Sequence, residues 1–215
     1  ENKICDSARR LIIPGSGINL SVFGCSPPNL DKVKVILFIG RFLSDKGVRE
    51  FVEAAKILNS RANEKVLFQM LGSSVANNRT SISNAELAKW DRLEFLEILG
   101  WIEDVRPVIV RAHCVVLPSY REGLPRALIE AGALGRPVVA SAVPGCRDVV
   151  VDGKTGYLCS PRSAEDLAQK IEAIISLDRD DWLQMSHAAR KRVEVCFDER
   201  IVLEKYDRLV REVTS

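Results

Sequence analysis

The sequence predicts an α/β fold, a doubly wound parallel sheet of the Rossmann-like kind. Three observations carry that expectation. Short apolar runs rich in β-branched residues alternate with amphipathic helical stretches along most of the chain. The runs are apolar without interruption, which marks strands buried on both faces. Several stop at a breaker, at Gly40, Gly72, Gly100 and Pro118. Strands separated by helices of about 10–15 residues join through right-handed crossovers and lie parallel.

In chain order, Val33–Ile39 is the first strand. Val48, Phe51, Val52, Ala55 and Leu58 then share one helical face. Val66–Leu71 is the second strand, and Ser83 with Glu86 forms a capping box for a short helix. Glu94–Leu99 is strand-like. Asp104 caps a helix with Val105, Val108, Ile109 and Ala112 inward. Cys114–Leu117 is a strand, Pro125 opens a helix through Leu134, and Pro137–Ser141 is a strand. Val149–Val151 and Tyr157–Cys159 read as short strands around an Asp152-Gly153 turn. Three helices finish the chain. Their inward faces are Ala164, Leu167, Ala168, Ile171, Ile174 and Ile175, then Trp182, Met185, Ala189 and Val193, then Val202, Tyr206, Leu209, Val210 and Val213.

The expected organisation is residues 1–30 as a hinge or linker remnant, 31–197 as the Rossmann-like domain, and 198–215 as a terminal helix. The first segment holds Pro14, Gly15, Gly17, Gly24, Pro27 and Pro28 and one apolar piece, Leu11–Ile13. The chain opens on Glu1 and reads as a fragment of something longer.

The 215 residues are 47% hydrophobic and 28% charged, enough for a sizeable core and unlike a disordered tail. Lys plus Arg is 31 against 29 Asp plus Glu, a net charge of +2. That balance argues against a nucleic-acid partner, which needs a basic stripe. No apolar run approaches the roughly 18 residues of a membrane span. Cys5, Cys25, Cys114, Cys146, Cys159 and Cys196 are scattered without metal spacing and read as reduced residues of a cytoplasmic protein.

Ligands of an open parallel sheet bind at the carboxyl ends of its strands. Gly40-Arg41-Phe42-Leu43-Ser44-Asp45-Lys46-Gly47 joins a buried strand to a helix. Its glycines admit an anion to the backbone, and Arg41 and Lys46 can neutralise a diphosphate. The plain alternative is a solvated loop with two surface cations. In Pro118–Pro125 and the helix beyond it, Gly123 and Leu124 can offer backbone N–H groups. Glu122 and Glu130 can accept from paired sugar hydroxyls, or else cap the helix and form a surface ion pair. Tyr120 and Arg121 either flank a ligand or stand exposed. His113 reads as a packed core histidine, and His187 has no partner signal. No G-x-G-x-x-G, Walker A or G-x-S-x-G motif occurs, which disfavours dinucleotide dehydrogenases, P-loop ATPases and serine hydrolases.

The ordered series PGSGINL, ILFIGRFLSDKGVREFVEAA, FQMLGSS, ILGWIEDV, VVLPSYREGLPRALIEAGALGRPVVAS and DGKTGYLCSP resembles the retaining glycosyltransferases of family 4. Glu122 and Glu130 match that family's E-x7-E signature. The resemblance implies one half of a two-domain GT-B enzyme, the C-terminal donor-binding half. It assigns Arg41 and Lys46 to the donor diphosphate, with Gly40 giving the backbone room. It assigns Gly123 and Leu124 to the distal phosphate and sugar, Glu122 to sugar hydroxyls and Glu130 to the ribose. Trp101 and Ile102 fall where backbone groups meet the base. Glu122, Arg41 and Lys46 form the implied catalytic set. Pro14–Asn19 matches the interdomain hinge, and the last helix matches one that returns to the other domain.

The implied reaction is retaining transfer from a nucleotide sugar, without cofactor or metal. A UDP-sugar is favoured, with UDP-N-acetylhexosamine as the specific candidate. The acceptor is a glycan or lipid-linked hydroxyl reached through the other domain, at the inner face of a bacterial membrane. On this reading the present chain alone binds donor without transferring it. The alternatives are GDP-mannose as donor, a non-catalytic nucleotide-sugar sensor or scaffold, and a family neighbour that epimerises or phosphorolyses sugars.

Overall fold

The computed structural model describes residues 15–25, 33–61 and 66–214. Leu11–Ile13, Pro14, Pro27, Pro28 and Cys5 lie outside the described residues. Among those described, six strands form one parallel sheet. They are β1 Lys34–Ile39, β2 Val66–Leu71, β3 Leu96–Gly100, β4 Cys114–Leu117, β5 Val138–Ser141 and β6 Gly156–Cys159, in spatial order β3-β2-β1-β4-β5-β6. The helices are α1 Val48–Arg61, α2 Asn84–Trp90, α3 Arg106–Arg111, α4 Arg126–Ala133, α5 Pro144–Val149, α6 Ala164–Ile175, α7 Arg179–Cys196 and α8 Glu199–Thr214. The strand order reverses between β1 and β4, so the loops leaving those two strands diverge and open a crevice.

The uninterrupted apolar strands resolve into two cores with period two. Ile36, Phe38, Phe68, Met70, Cys114, Val116 and Val139 face α1 and α6. Leu37, Leu71, Val115, Leu117, Val138 and Ala140 face α3, α4 and α5. On the first face Phe38, Phe51, Phe68 and Phe95 make a run of tilted and edge-on rings with centroids 5.6, 5.7 and 6.4 Å apart. α7 serves both faces, giving Trp182 and Met185 to one core and Val193 to the other. Residues 15–25 lie along the corner between α7 and α8. Ile18 N–H donates to Phe197 O (2.8 Å), Glu199 N–H donates to Ile18 O (3.0 Å), and Ile18 and Phe23 are buried. No helix among the described residues is long and apolar enough to cross a membrane.

The Ser83–Glu86 capping box forms as expected. Four local expectations change. Val149–Val151 is no strand, because Val149 ends α5, a helix that Pro144 opens at its first turn. Pro125 is the residue that caps α4, one position before the helix proper, with extended backbone. Asp104 does not hold the cap position of α3, which falls to Val105, yet its carboxylate still accepts the Arg106 N–H at 3.0 Å. In α8 only Val202 is buried of the residues expected inward; Tyr206 and Val210 are exposed and Leu209 half-buried, and the Val213 side chain lies outside the described residues. Helical periodicity reveals an apolar stripe but not what covers it.

Two buried polar groups stand in the core, and of these only Arg136 went unread in the sequence. Arg136 is fully buried and donates to Ile109 O (3.2 Å) and Val110 O (2.7 Å), satisfying carbonyls at the end of α3. Its guanidinium lies 5.8 Å from the Trp182 ring, and burial pulls its pKa down to about 10, still charged at neutral pH. His113 is a packed core residue, as expected. Its Nδ1 accepts the Val35 N–H at 3.1 Å, so the proton sits on Nε2, which has no partner among the described residues. Burial, with Lys34 and Arg136 nearby, pushes its pKa down to about 4.

That shift has a defined sign. The unfolded chain takes up a proton near the ordinary histidine value of 6.5, whereas the folded chain resists until about 4. Stability from this group is therefore complete above about pH 6.5 and is lost as pH falls toward 4. Urea denaturation across that window should show His113→Gln with a shallower acid loss than the parent chain, by about one proton in slope. Equal slopes would remove His113 as the cause.

Candidate functional site

The crevice between β1 and β4 is built by backbone contact first. Gly47, at φ +72°, lies over the chain leaving β4, and a Cβ there would come within 2.1 Å of Pro118 O. Tyr120 N–H donates to Asp45 O at 2.8 Å. Tyr120 O–H donates to Glu50 Oε1 at 2.6 Å, and the Arg162 guanidinium stacks 4.6 Å from the Tyr120 ring. Burial and the Glu50 carboxylate hold the Tyr120 hydroxyl protonated, its pKa pushed up to about 12. Arg121 is exposed, 3.8 Å from Asp45. Tyr120 therefore fastens one loop to the other, while Arg121 stays at the rim.

This fastening brings two of the expected site residues into contact. Lys46 Nζ donates to Glu122 Oε1 at 2.6 Å, across 76 residues of sequence. Their side chains are only 19% and 11% exposed, so the pair is shielded from bulk water. The Cys146 thiol, in α5, is close enough to feel both charges. Burial and the Glu122 carboxylate push its pKa up to about 12, so it stays neutral. Gly145 presses on the same loop, where a Cβ would meet Gly123 O at 2.1 Å and Glu122 O at 2.6 Å. The backbone N–H groups of Gly123 and Leu124 donate to none of the described residues and precede the first turn of α4. A helix start with free N–H groups favours an anion.

The remaining expected residues are spread along the strand ends. Gly40 packs against Gly72, whose left-handed backbone (φ +145°) would put a Cβ 1.9 Å from Gly40 O. Arg41 follows it, exposed and without an ion pair to any described residue. Glu130, one turn inside α4 and 14% exposed, accepts from Arg126 Nε at 2.8 Å. It therefore has a different partner from Glu122. Trp101 and Ile102 leave β3, two strands from β1. Trp101 is 72% exposed, and Ile102 is half-buried. His187 is exposed on α7. Asp45, Glu50, Arg162 and Gly145 are site-building residues that the sequence reading did not single out. Only Gly145 had a signal, lying beside a proline that opens a helix.

Residues 26–192 match the family model described as glycosyl transferases group 1. The chain belongs to that family. A Campylobacter jejuni N,N'-diacetylbacillosaminyl-diphospho-undecaprenol alpha-1,3-N-acetylgalactosaminyltransferase is 29% identical over 99% of this chain and 56% of its own length. The capsular polysaccharide biosynthesis glycosyltransferase CapM of Staphylococcus aureus is 32% identical over 80% of this chain and 44% of its own. Among solved structures, sucrose-phosphate synthase from Thermosynechococcus elongatus superimposes with a TM-score of 0.78 at 26% identity, over 94% of this chain and 52% of that one. The architecture is that of the C-terminal domain of a GT-B glycosyltransferase. The chain spans about half the length of the curated relatives it matches.

In this group 1 domain the Gly47 contact holds the two loops together. Gly47→Ala combines a left-handed backbone with a clash against backbone atoms and should destabilise the fold by about 2–3 kcal/mol in urea denaturation. A loss below about 0.5 kcal/mol would show that the loops separate freely.

Proposed function

We propose that this chain is the donor-binding half of a retaining family 4 glycosyltransferase that uses a UDP-sugar. The observation that carries the reading is the contact of Lys46 with Glu122 at the reversal of strand order, on loops that also carry Arg41, without an ion pair among the described residues, and the Gly123 and Leu124 N–H groups, which donate to none of them. Cations and backbone donors suit a diphosphate, and a shielded carboxylate suits sugar hydroxyls. As the glycosidic bond breaks, negative charge gathers on the departing diphosphate. Arg41, Lys46 and the start of α4 stabilise that charge without a metal. Glu122 orients the sugar, and Glu130 takes the ribose hydroxyls.

The favoured donor is a UDP-N-acetylhexosamine and the favoured acceptor a lipid-linked glycan. Support comes from the Campylobacter jejuni relative, whose name gives N-acetylgalactosaminyl transfer onto a diphospho-undecaprenol-linked sugar. The capsular relative supports a polysaccharide product. The acceptor and the whole protein's turnover involve the half of such relatives that this chain does not span.

Calorimetry in EDTA tests the donor site. UDP should bind, and more tightly than GDP or ADP. No heat from any of the three at millimolar concentration would sink the reading, and a preference for GDP would move the donor to a guanosine sugar. Glu130→Gln should weaken UDP by about 1–3 kcal/mol, the scale of a hydrogen bond to a charged group. The 2'-deoxy nucleotide should bind parent and variant nearly alike. Equal losses for both nucleotides would give Glu130 a structural role through Arg126 instead.

A further inference from the structure

The Lys46 ammonium and the Glu122 carboxylate each have the other as sole hydrogen-bonding partner among the described residues, and both side chains are largely withdrawn from water. Breaking such a pair by occupying one partner leaves the other charge shielded and uncompensated, which is more costly than losing an exposed ion pair. Cys146 is a neutral thiol and supplies no charge to replace Lys46. Arg121 stands at 3.8 Å from Asp45. Arg126 is engaged with Glu130. A diphosphate that draws on Lys46 therefore places its own negative charge beside Glu122 and gives that carboxylate nothing in return.

An intact nucleotide sugar differs in two ways. Its distal phosphate is esterified and carries one negative charge fewer than a free nucleoside diphosphate. Its hexose also brings hydroxyl donors that can satisfy Glu122 as Lys46 turns to the phosphates. We infer that the Lys46–Glu122 pair is a selectivity device that disfavours the spent nucleoside diphosphate relative to the intact donor, helping product to leave. This rests on the donor-site reading above and adds to it a discrimination between substrate and product. It also requires the Glu122 charge to act against the nucleotide alone and in favour of the sugar conjugate.

The opposite signs make the test. Calorimetry on the 215-residue chain would compare UDP with UDP-N-acetylglucosamine, UDP-N-acetylgalactosamine and UDP-glucose, in the parent and in Glu122→Gln. Neutralising Glu122 should tighten UDP by about threefold or more and loosen the best-bound conjugate by about fivefold or more. Both ligands moving in the same direction, or an unchanged ratio between them, would overturn the selectivity device while leaving the donor site standing. A parent chain that binds none of these ligands would overturn the donor site itself. Circular dichroism and thermal midpoints establish that the variant is folded. If Glu122→Gln is not folded, Glu122→Asp carries the test. Its retained charge should keep UDP within about twofold of the parent, while its shorter reach loosens the conjugate about fivefold. Equal loosening of both would overturn the proposal.

Discussion

The close approach of the chain leaving β1 to the chain leaving β4 is the constraint on which the site depends. These strands are neighbours only because the sheet reverses its order there, and β4 begins 75 positions after β1 ends (114 − 39). Gly47 permits the approach, since any side chain would meet the Pro118 carbonyl. The Tyr120–Asp45 and Tyr120–Glu50 hydrogen bonds then hold it. Only with the loops held in this way can an ammonium from one and a carboxylate from the other meet at 2.6 Å. The ion pair is thus a consequence of topology and of one glycine. No local propensity of either loop produces it.

Two further glycines repeat the device. Gly72 admits the Gly40 carbonyl, and Gly145 admits the carbonyls of Glu122 and Gly123. The floor of the crevice is consequently backbone set against backbone. Such a surface presents fixed dipoles that need little reorganisation when a charged ligand arrives. It also leaves the Gly123 and Leu124 N–H groups without an acceptor among the described residues at the start of α4.

The fold was legible because its signals are local. Uninterrupted apolar strands, breakers at their ends and amphipathic helices mark the elements, and the crossover rule orders them. α5 was missed because it is short and its last residue, Val149, runs into the β-branched Val150 and Val151. The Val151 N–H goes to Thr155 Oγ1 rather than to a neighbouring strand. The exposed stripe of α8 was misjudged because periodicity carries no information about a partner. At the site, the E-x7-E spacing marked both glutamates but not their fates. Glu122 pairs with a lysine 76 residues away, while Glu130 pairs with an arginine one turn away. The first pairing is a property of the tertiary fold, and spacing within a loop cannot contain it.

The two cations at the end of β1 therefore stand in different electrostatic states. Arg41 is exposed, and its field reaches solvent, where it is screened over about 8–10 Å but still attracts an approaching anion. Lys46 is largely cancelled by Glu122 and contributes little at that range. On the donor-site proposal an incoming ligand would meet Arg41 and the helix start first, while Lys46 would act only at contact, where Glu122 can be compensated in turn. A site with both cations free would attract any diphosphate strongly and hold it. On the donor-site proposal, setting one of them against a carboxylate would separate capture from retention: Arg41 would serve the first, and the second would depend on what the ligand offers to Glu122.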